Sequence, residues 1–212
     1  MFIPRVIPTL LLRGNGLVKT RKFSKPRYIG DPINSVRLFN DLGADELVFL
    51  DILASHEKRT ISLDFVRNVG SEAHMPFSVG GGISTIDQIQ EILAAGAEKV
   101  VLCSMAAEDP KFVSEAARVF GSSTISVCMD VKQTLLRRSR VWSQGATQAS
   151  AHKPVDFARL MEEQGAGELI VQSVDRDGTM LGYDLALLRQ ISEAVTIPVV
   201  ALGGAGKLAD MR

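Results

Sequence analysis

Residues 42–51, LGADELVFLD, lie in register on residues 164–173, QGAGELIVQS: a helix-ending glycine, a glutamate, then an apolar run. The shift is 122 positions, and the same shift lays MPFSVGGGI (75–83) over IPVVALGGA (197–205). One unbroken offset through strand, helix and glycine turn marks an internal duplication of a strand–helix half. Such a duplication constrains the architecture more than any local motif can.

Working outward from these copies, short apolar runs alternate with amphipathic ones along the chain. Strands are predicted at 5–12, 46–51, 76–79, 99–103, 124–130, 168–173 and 198–201. Most are nearly continuous in hydrophobicity, as strands buried on both faces should be. Helices are predicted at 32–42, 63–73, 85–95, 110–120, 155–164 and 185–194. Asp31-Pro32 and Asp109-Pro110 pair an N-cap with a first-turn proline, and Gly43, Gly96, Gly121 and Gly165 stand where helices end. Residues 133–154 have neither periodicity and read as a β-hairpin excursion after the fifth strand, with Trp142 packing it.

Strand-then-helix repetition means a parallel sheet. The half repeat favours a closed TIM (β/α)8-type barrel over an open doubly wound sheet. One barrel domain over 1–212 is expected, with half-barrels at about 1–121 and 122–212. Such barrels run to about 250 residues. The sequence stops a few residues past GGAG, so truncation before the eighth β/α unit is expected.

Composition narrows the function. Hydrophobic residues make up 46% and charged residues 23%, and 24 basic side chains balance 24 acidic ones. A protein that neutralises nucleic-acid phosphates is normally basic, so no nucleic-acid partner is expected. Two cysteines, Cys103 and Cys128, suit a reducing compartment. The apolar N-terminus is interrupted by Pro4, Arg5 and Pro8 and lacks a signal-peptide pattern; no run suggests a membrane span, and a cytoplasmic protein is expected.

Gly80-Gly81-Gly82 and Gly203-Gly204 each follow a strand and precede a helical pattern. A glycine there makes a tight turn, or lets backbone N–H groups approach an anion at a helix N-terminus. Two copies at one point of a duplicated unit favour two phosphate sites, hence a ligand with a phosphate at each end. Asp51, Asp130, Asp175 and Asp177 fall at or just beyond the C-terminal ends of strands, where barrel catalysis occurs. Each is either a turn cap or an acid–base group; Asp130, closing the apolar run ISVCMD, is the best placed for proton transfer. Arg5, Glu46, Lys99 and Glu168 start strands at the opposite end. They read as solvated charges or, if turned inward, as a ring closing the barrel floor. His56, His74 and His152 have no metal spacing, DRDGT lacks the rest of a calcium loop, and no cofactor motif is present. The thiols read as core or site-lining groups.

GLVKT, GDP, ADELVFLDI, VGGGI, GAEKV, GAGELI, DRDGT with GYD, and IPV followed by GGAGK together resemble the HisF family, the cyclase subunit of imidazole glycerol phosphate synthase. The resemblance runs through nearly the whole chain. It implies a (β/α)8 barrel, a ribulose-type bis-phosphate substrate in histidine biosynthesis, and ammonia from a HisH-like glutamine amidotransferase docked on the barrel floor. By the same resemblance Arg5, Glu46, Lys99 and Glu168 match the ammonia gate, and Lys19 a substrate-contacting lysine. Asp130 matches one of two catalytic aspartates, and Gly82, Ser104, Asp177, Gly178 and Gly204 match phosphate-site positions, to which the repeated glycine turns add Gly81 and Gly203. Neither cofactor nor metal is implied.

The departures are as specific. The family's other catalytic aspartate falls on Leu11, and Cys103, Gln172 and Leu202 stand where Asn, Thr and Ser are usual. TLLL at the first strand resembles HisF-like paralogues of surface-polysaccharide loci, which implies ammonia delivery for sugar amidation. A non-catalytic scaffold that stimulates a glutaminase is the remaining alternative.

Overall fold

The computed structural model describes residues 5–134, 136 and 138–211. The described residues form two compact units, one within 5–19, 26–101 and 211 and one within 20–25 and 102–210.

In the first unit β1 (Thr9–Arg13), β4 (Leu47–Asp51), β5 (Phe77–Gly80) and β6 (Lys99–Leu102) run parallel, with Leu11 opposite Leu50, Val48 opposite Ser78, and Ser78 opposite Lys99. β2 (Gly16–Arg21) pairs antiparallel with β1, and β3 (Ser24–Gly30) follows it in the sheet. The crossovers are α1 (Pro32–Asp41), α2 (Leu63–Glu72) and α3 (Ile86–Ala94). Their starts follow from sequence. Asp31 accepts the Asn34 N–H ahead of first-turn Pro32, Ser62 accepts that of Phe65, and Thr85 with Gln88 forms a capping box. Val66 and Val69 of α2 and Ile89 and Ile92 of α3 are fully buried, one stripe of each helix, as are Leu47, Phe49 and Val79 of the strands.

The second unit repeats the theme. α4 (Ser104–Glu108) and α5 (Pro110–Phe120) lead to β7 (Ile125–Gln133), which lies parallel to β10 (Glu168–Ser173), itself parallel to β11 (Val199–Leu202). α6 (Pro154–Glu163) and α7 (Leu185–Ser192) are the crossovers. β7 outruns the expected strand by three residues and turns into β8 (Ser139–Ser143), with β9 (Gln148–Ala149) paired beyond it. The hairpin expected here is therefore present. Trp142 anchors it, with Nε1 donating to the Lys132 carbonyl at 3.2 Å and the Lys132 ammonium 4.7 Å from its ring. Val127, Met129, Phe157, Met161, Leu169 and Ile191 are fully buried.

This is the α/β class expected, with strands and helices alternating in the (β/α)8-barrel manner. Two expectations need correction. The first strand begins at Thr9, so Arg5 precedes it by four residues; Pro8, with no N–H to donate, stands just before the start. The antiparallel β1–β2–β3 ribbon was not anticipated, because its third strand is exposed and polar and carries no burial pattern. Among the described residues no helix is long and apolar enough to cross a membrane.

Candidate functional site

Parallel pairing of β7 with β10 sets the geometry. Ser126 lies opposite Glu168, Cys128 opposite Ile170, and Asp130 opposite Gln172. Side chains two apart on a strand share a face, so Ser126, Cys128 and Asp130 form a file along β7, and Glu168 and Gln172 a second along β10. All five are buried. At the strand starts the Ser126 hydroxyl donates to Glu168 at 2.8 Å. Further along, the Cys128 thiol contacts Gln172 Oε1 at 3.8 Å and Asp130 at 3.9 Å, while Cys103, just past β6, donates to Asp130 Oδ2 at 3.5 Å. Asp177 continues the chain: it takes hydrogen bonds from Thr20 Oγ1 at 2.9 Å, from the Phe23 N–H and from Gln172.

This setting alters the chemistry of its acids. Burial lifts the Asp130 carboxyl to about 7; the Cys103 hydrogen bond pulls it back, and the charge of Asp177 adds to the rise. A carboxyl that titrates near neutrality both gives and takes a proton under cellular conditions. Burial also raises Asp177, against the pull of Thr20. The Cys103 thiol stays protonated well above its ordinary range, first through its hydrogen bond with Cys128 and then through burial. For Cys128 the bond to Cys103 lowers the thiol, but burial and Asp130 outweigh it.

In the first unit the buried Glu46 carboxylate is the hub. Lys99 Nζ lies 3.2 Å away, the Ser78 hydroxyl donates at 3.1 Å, and Arg5 approaches at 3.7 Å from an exposed position. Three of the charges predicted at strand starts thus form a bonded set, and the fourth, Glu168, is buried within its own unit. Asp51 serves a different purpose. It accepts the N–H groups of Leu53 and Ala54 and pairs with Arg59 at 2.6 Å, so it fixes the loop after β4. Asp175 likewise caps a backbone N–H, that of Gln133.

The glycine turns have a steric reason of their own. A side chain on Gly82, at φ +66°, would meet the Arg59 carbonyl, and one on Gly204, at φ +110°, the Gly182 carbonyl. The amides of Ser84 and Thr85 beyond the first turn are held by Gln88 Oε1, and those of Gly206 and Lys207 beyond the second by Asp210. Ser104 Oγ accepts the Gln144 N–H at 3.0 Å, and Lys19 is exposed on β2. Leu11 sits partly buried on β1, opposite Val18 and Leu50.

The sequence spacing missed the grouping of Cys103, Cys128 and Asp130, whose ligand-capable atoms all lie within 4.8 Å of one another. The period-two pattern could have paired Cys128 with Asp130. Placing Cys103 beside them needed the order of strands.

A sequence profile of the family described as "Histidine biosynthesis protein" matches residues 5–212. The imidazole glycerol phosphate synthase subunit HisF of Nitratidesulfovibrio vulgaris is 47% identical over 211 residues, covering 97% of this chain and 82% of that protein. The same subunit of Alkaliphilus metalliredigens is 44% identical, covering 99% and 83%. A Leptospira interrogans protein whose name provisionally assigns it to that subunit is 45% identical, covering 100% and 84%. The chain belongs to the HisF family. Within the second unit a buried aspartate, two thiols and an amide lie together.

Proposed function

We propose that this chain is a HisF-type lyase, the cyclase subunit of an imidazole glycerol phosphate synthase in histidine biosynthesis. It acts in the cytoplasm as one barrel domain built from two half-barrels. It takes ammonia from a glutamine amidotransferase partner and adds it to a ribulose-type bis-phosphate. The observation that carries the reading is the polar file within the second unit. Glu168 and Ser126 stand at one end, Cys128 in the middle, and Asp130 with Gln172 at the other. Four residues of strand span about 13 Å. A buried polar file of that length in an apolar strand pair offers successive hydrogen-bond partners to a small neutral molecule. It leads toward the carboxyl that titrates near neutrality.

In this reading Glu46, Lys99, Arg5 and Glu168 guard ammonia entry, and Asp130 handles protons on the substrate. Lys19 and the turns at Gly81–Gly82 with Ser104, and at Gly178 with Gly203–Gly204, hold its phosphates; Asp177 supports the second turn. Leu11 favours a second reading, a paralogue that passes ammonia to an amino-group acceptor on a surface-polysaccharide sugar. Leucine transfers no proton, so a two-aspartate relay cannot run.

The test is direct. The purified chain, supplied with the bis-phosphate and either an ammonium salt or glutamine plus the partner glutaminase, is assayed for imidazole product. Turnover with both nitrogen sources supports the histidine assignment. Stimulated glutaminase without cyclisation supports the sugar reading or a scaffold role, and no response of the glutaminase sinks the partnership.

A further inference from the structure

The thiols beside Asp130 have no role in proton transfer to a sugar phosphate, yet two of them converge on one carboxylate. Cys103 Sγ lies 3.5 Å from Asp130 Oδ2, Cys128 Sγ 3.9 Å from Oδ1, and Gln172 Oε1 3.8 Å from Cys128 Sγ. We propose that Cys103, Cys128 and Asp130, with Gln172 Oε1 or a water as the neutral fourth donor, form a binding site for a soft divalent cation of the Zn²⁺ class.

The geometry decides between this and an accidental cluster. Zinc–sulfur bonds of about 2.3 Å and zinc–oxygen bonds of about 2.0–2.2 Å, arranged as a tetrahedron, put neighbouring donors about 3.5–3.8 Å apart. The thiol–oxygen separations of 3.5–3.9 Å lie close to those edges, and the ligand atoms of Cys103, Cys128 and Asp130 all fall within 4.8 Å of one another, so a shift of about 1 Å closes the shell. Cys128, Asp130 and Gln172 are held by the pairing of β7 with β10, and Cys103 stands between the end of β6 and the start of α4. Two sulfurs and a carboxylate select zinc over magnesium or calcium, which prefer all-oxygen shells. The outer partner is in place too, since Gln172 also bonds Asp177. Cys103 is partly exposed, while Cys128 and Asp130 are buried. Binding displaces both S–H protons to solvent.

The test is read on the metal alone, since with the ion bound Asp130 is a ligand and no longer transfers protons. The experiment uses the full chain, purified under a phosphine reductant and stripped with chelator. It is titrated with Co²⁺ alone, then with Zn²⁺ against a chromophoric chelator. The expected result is one ion per chain, with thiolate-to-cobalt charge-transfer absorption in the near ultraviolet that Zn²⁺ removes. Cys103→Ser, Cys128→Ser and Asp130→Asn should each weaken Zn²⁺ on the order of 100-fold, as loss of one of few charged ligands does. If the buried Cys128→Ser variant does not fold, Cys103→Ser decides alone. Absence of the charge-transfer band, or Zn²⁺ affinity unchanged in Cys103→Ser, overturns the site.

Discussion

Asp51 and Asp130 both belong to the C-terminal part of a strand of a repeated unit, and both are buried, but their neighbours differ in sign. Asp51 meets the Arg59 guanidinium at 2.6 Å and two backbone N–H groups. Asp130 meets two weakly donating thiols and, further off, the like charge of Asp177, and its carboxyl rises to about 7. One position thus gives a strut that holds a loop, and the other a group that trades protons. The difference lies in what burial is set against: a cation offsets the desolvation of a carboxylate, and a thiol offsets little of it.

The largest test of that contrast is rate. Asp130→Asn should cost about 10²–10⁴-fold in ammonia-dependent turnover, the usual worth of a general acid–base group. Asp51→Asn should act mainly on stability, lowering it by about 1–3 kcal/mol by leaving Arg59 and two amides less well paired. Denaturation together with steady-state kinetics separates the two. Asp51→Asn abolishing turnover at unchanged stability would erase the distinction.

The next effect concerns the charges at the strand starts. Glu46→Ala strips Lys99 and Ser78 of their shared acceptor, and stability should fall by about 2–4 kcal/mol. The loss sits at the lower end because the Lys99 side chain keeps 20% exposure. Lys99→Ala should leave the fold intact while glutamine hydrolysis runs ahead of product formation. Matched rates in that variant would remove Lys99 from ammonia delivery.

How far these sites were legible in the sequence follows from the same physics. Strand and helix order, and the equivalence of Glu46 with Glu168, come from a repeat that burial enforces on both copies. α5 was read to the residue because Asp109-Pro110 and Gly121 punctuate it. The β1–β2–β3 ribbon was not legible, since its exposed residues carry no period. Nor was the approach of Cys103 to Asp130, which arises from strand order and leaves no trace in spacing along the chain. Asp51 illustrates a residue type that sequence cannot sort: only the presence of Arg59, eight positions later, shows it to be a strut.

A third prediction concerns pH, for protein kept metal-free with chelator. The groups facing Asp130 are the Cys103 and Cys128 thiols, Gln172 and, by its charge, Asp177. Folded Asp130 holds its proton up to about 7, whereas its ordinary value is 3.8. Between those values the folded state binds a proton that the unfolded chain has released. The stabilising contribution is therefore complete below about pH 4 and lost as pH rises toward 7, a change of the order of a few kcal/mol. Asp130→Asn should remove that decline and be relatively more stable at pH 8 than at pH 4. A parallel pH profile for both proteins would mean that Asp130 is solvated or paired in solution.

The smallest expected effect is a gain. Leu11 lies on β1 between Val18 and Leu50 in the pairing, and in the proposed reading it takes the place of a second catalytic aspartate. Leu11→Asp places a carboxyl in that partly buried apolar register, so it should cost about 1–3 kcal/mol of stability, the penalty for a poorly partnered polar group. It also restores a second proton-transfer group. A well-placed one would contribute about 10²–10⁴-fold, but Cys103, Gln172 and Leu202 also depart from the family's pattern, and a misplaced acid loses most of its benefit. Cyclisation should therefore rise only a few-fold over the parent chain, measured with saturating ammonium so that delivery from the glutaminase is not limiting. Robust cyclisation by the parent chain, with Leu11 in place, would show that the second aspartate is dispensable here and would return the sugar-amidation reading to the background. No gain from Leu11→Asp, alongside intact glutaminase stimulation, would point the ammonia at a different acceptor.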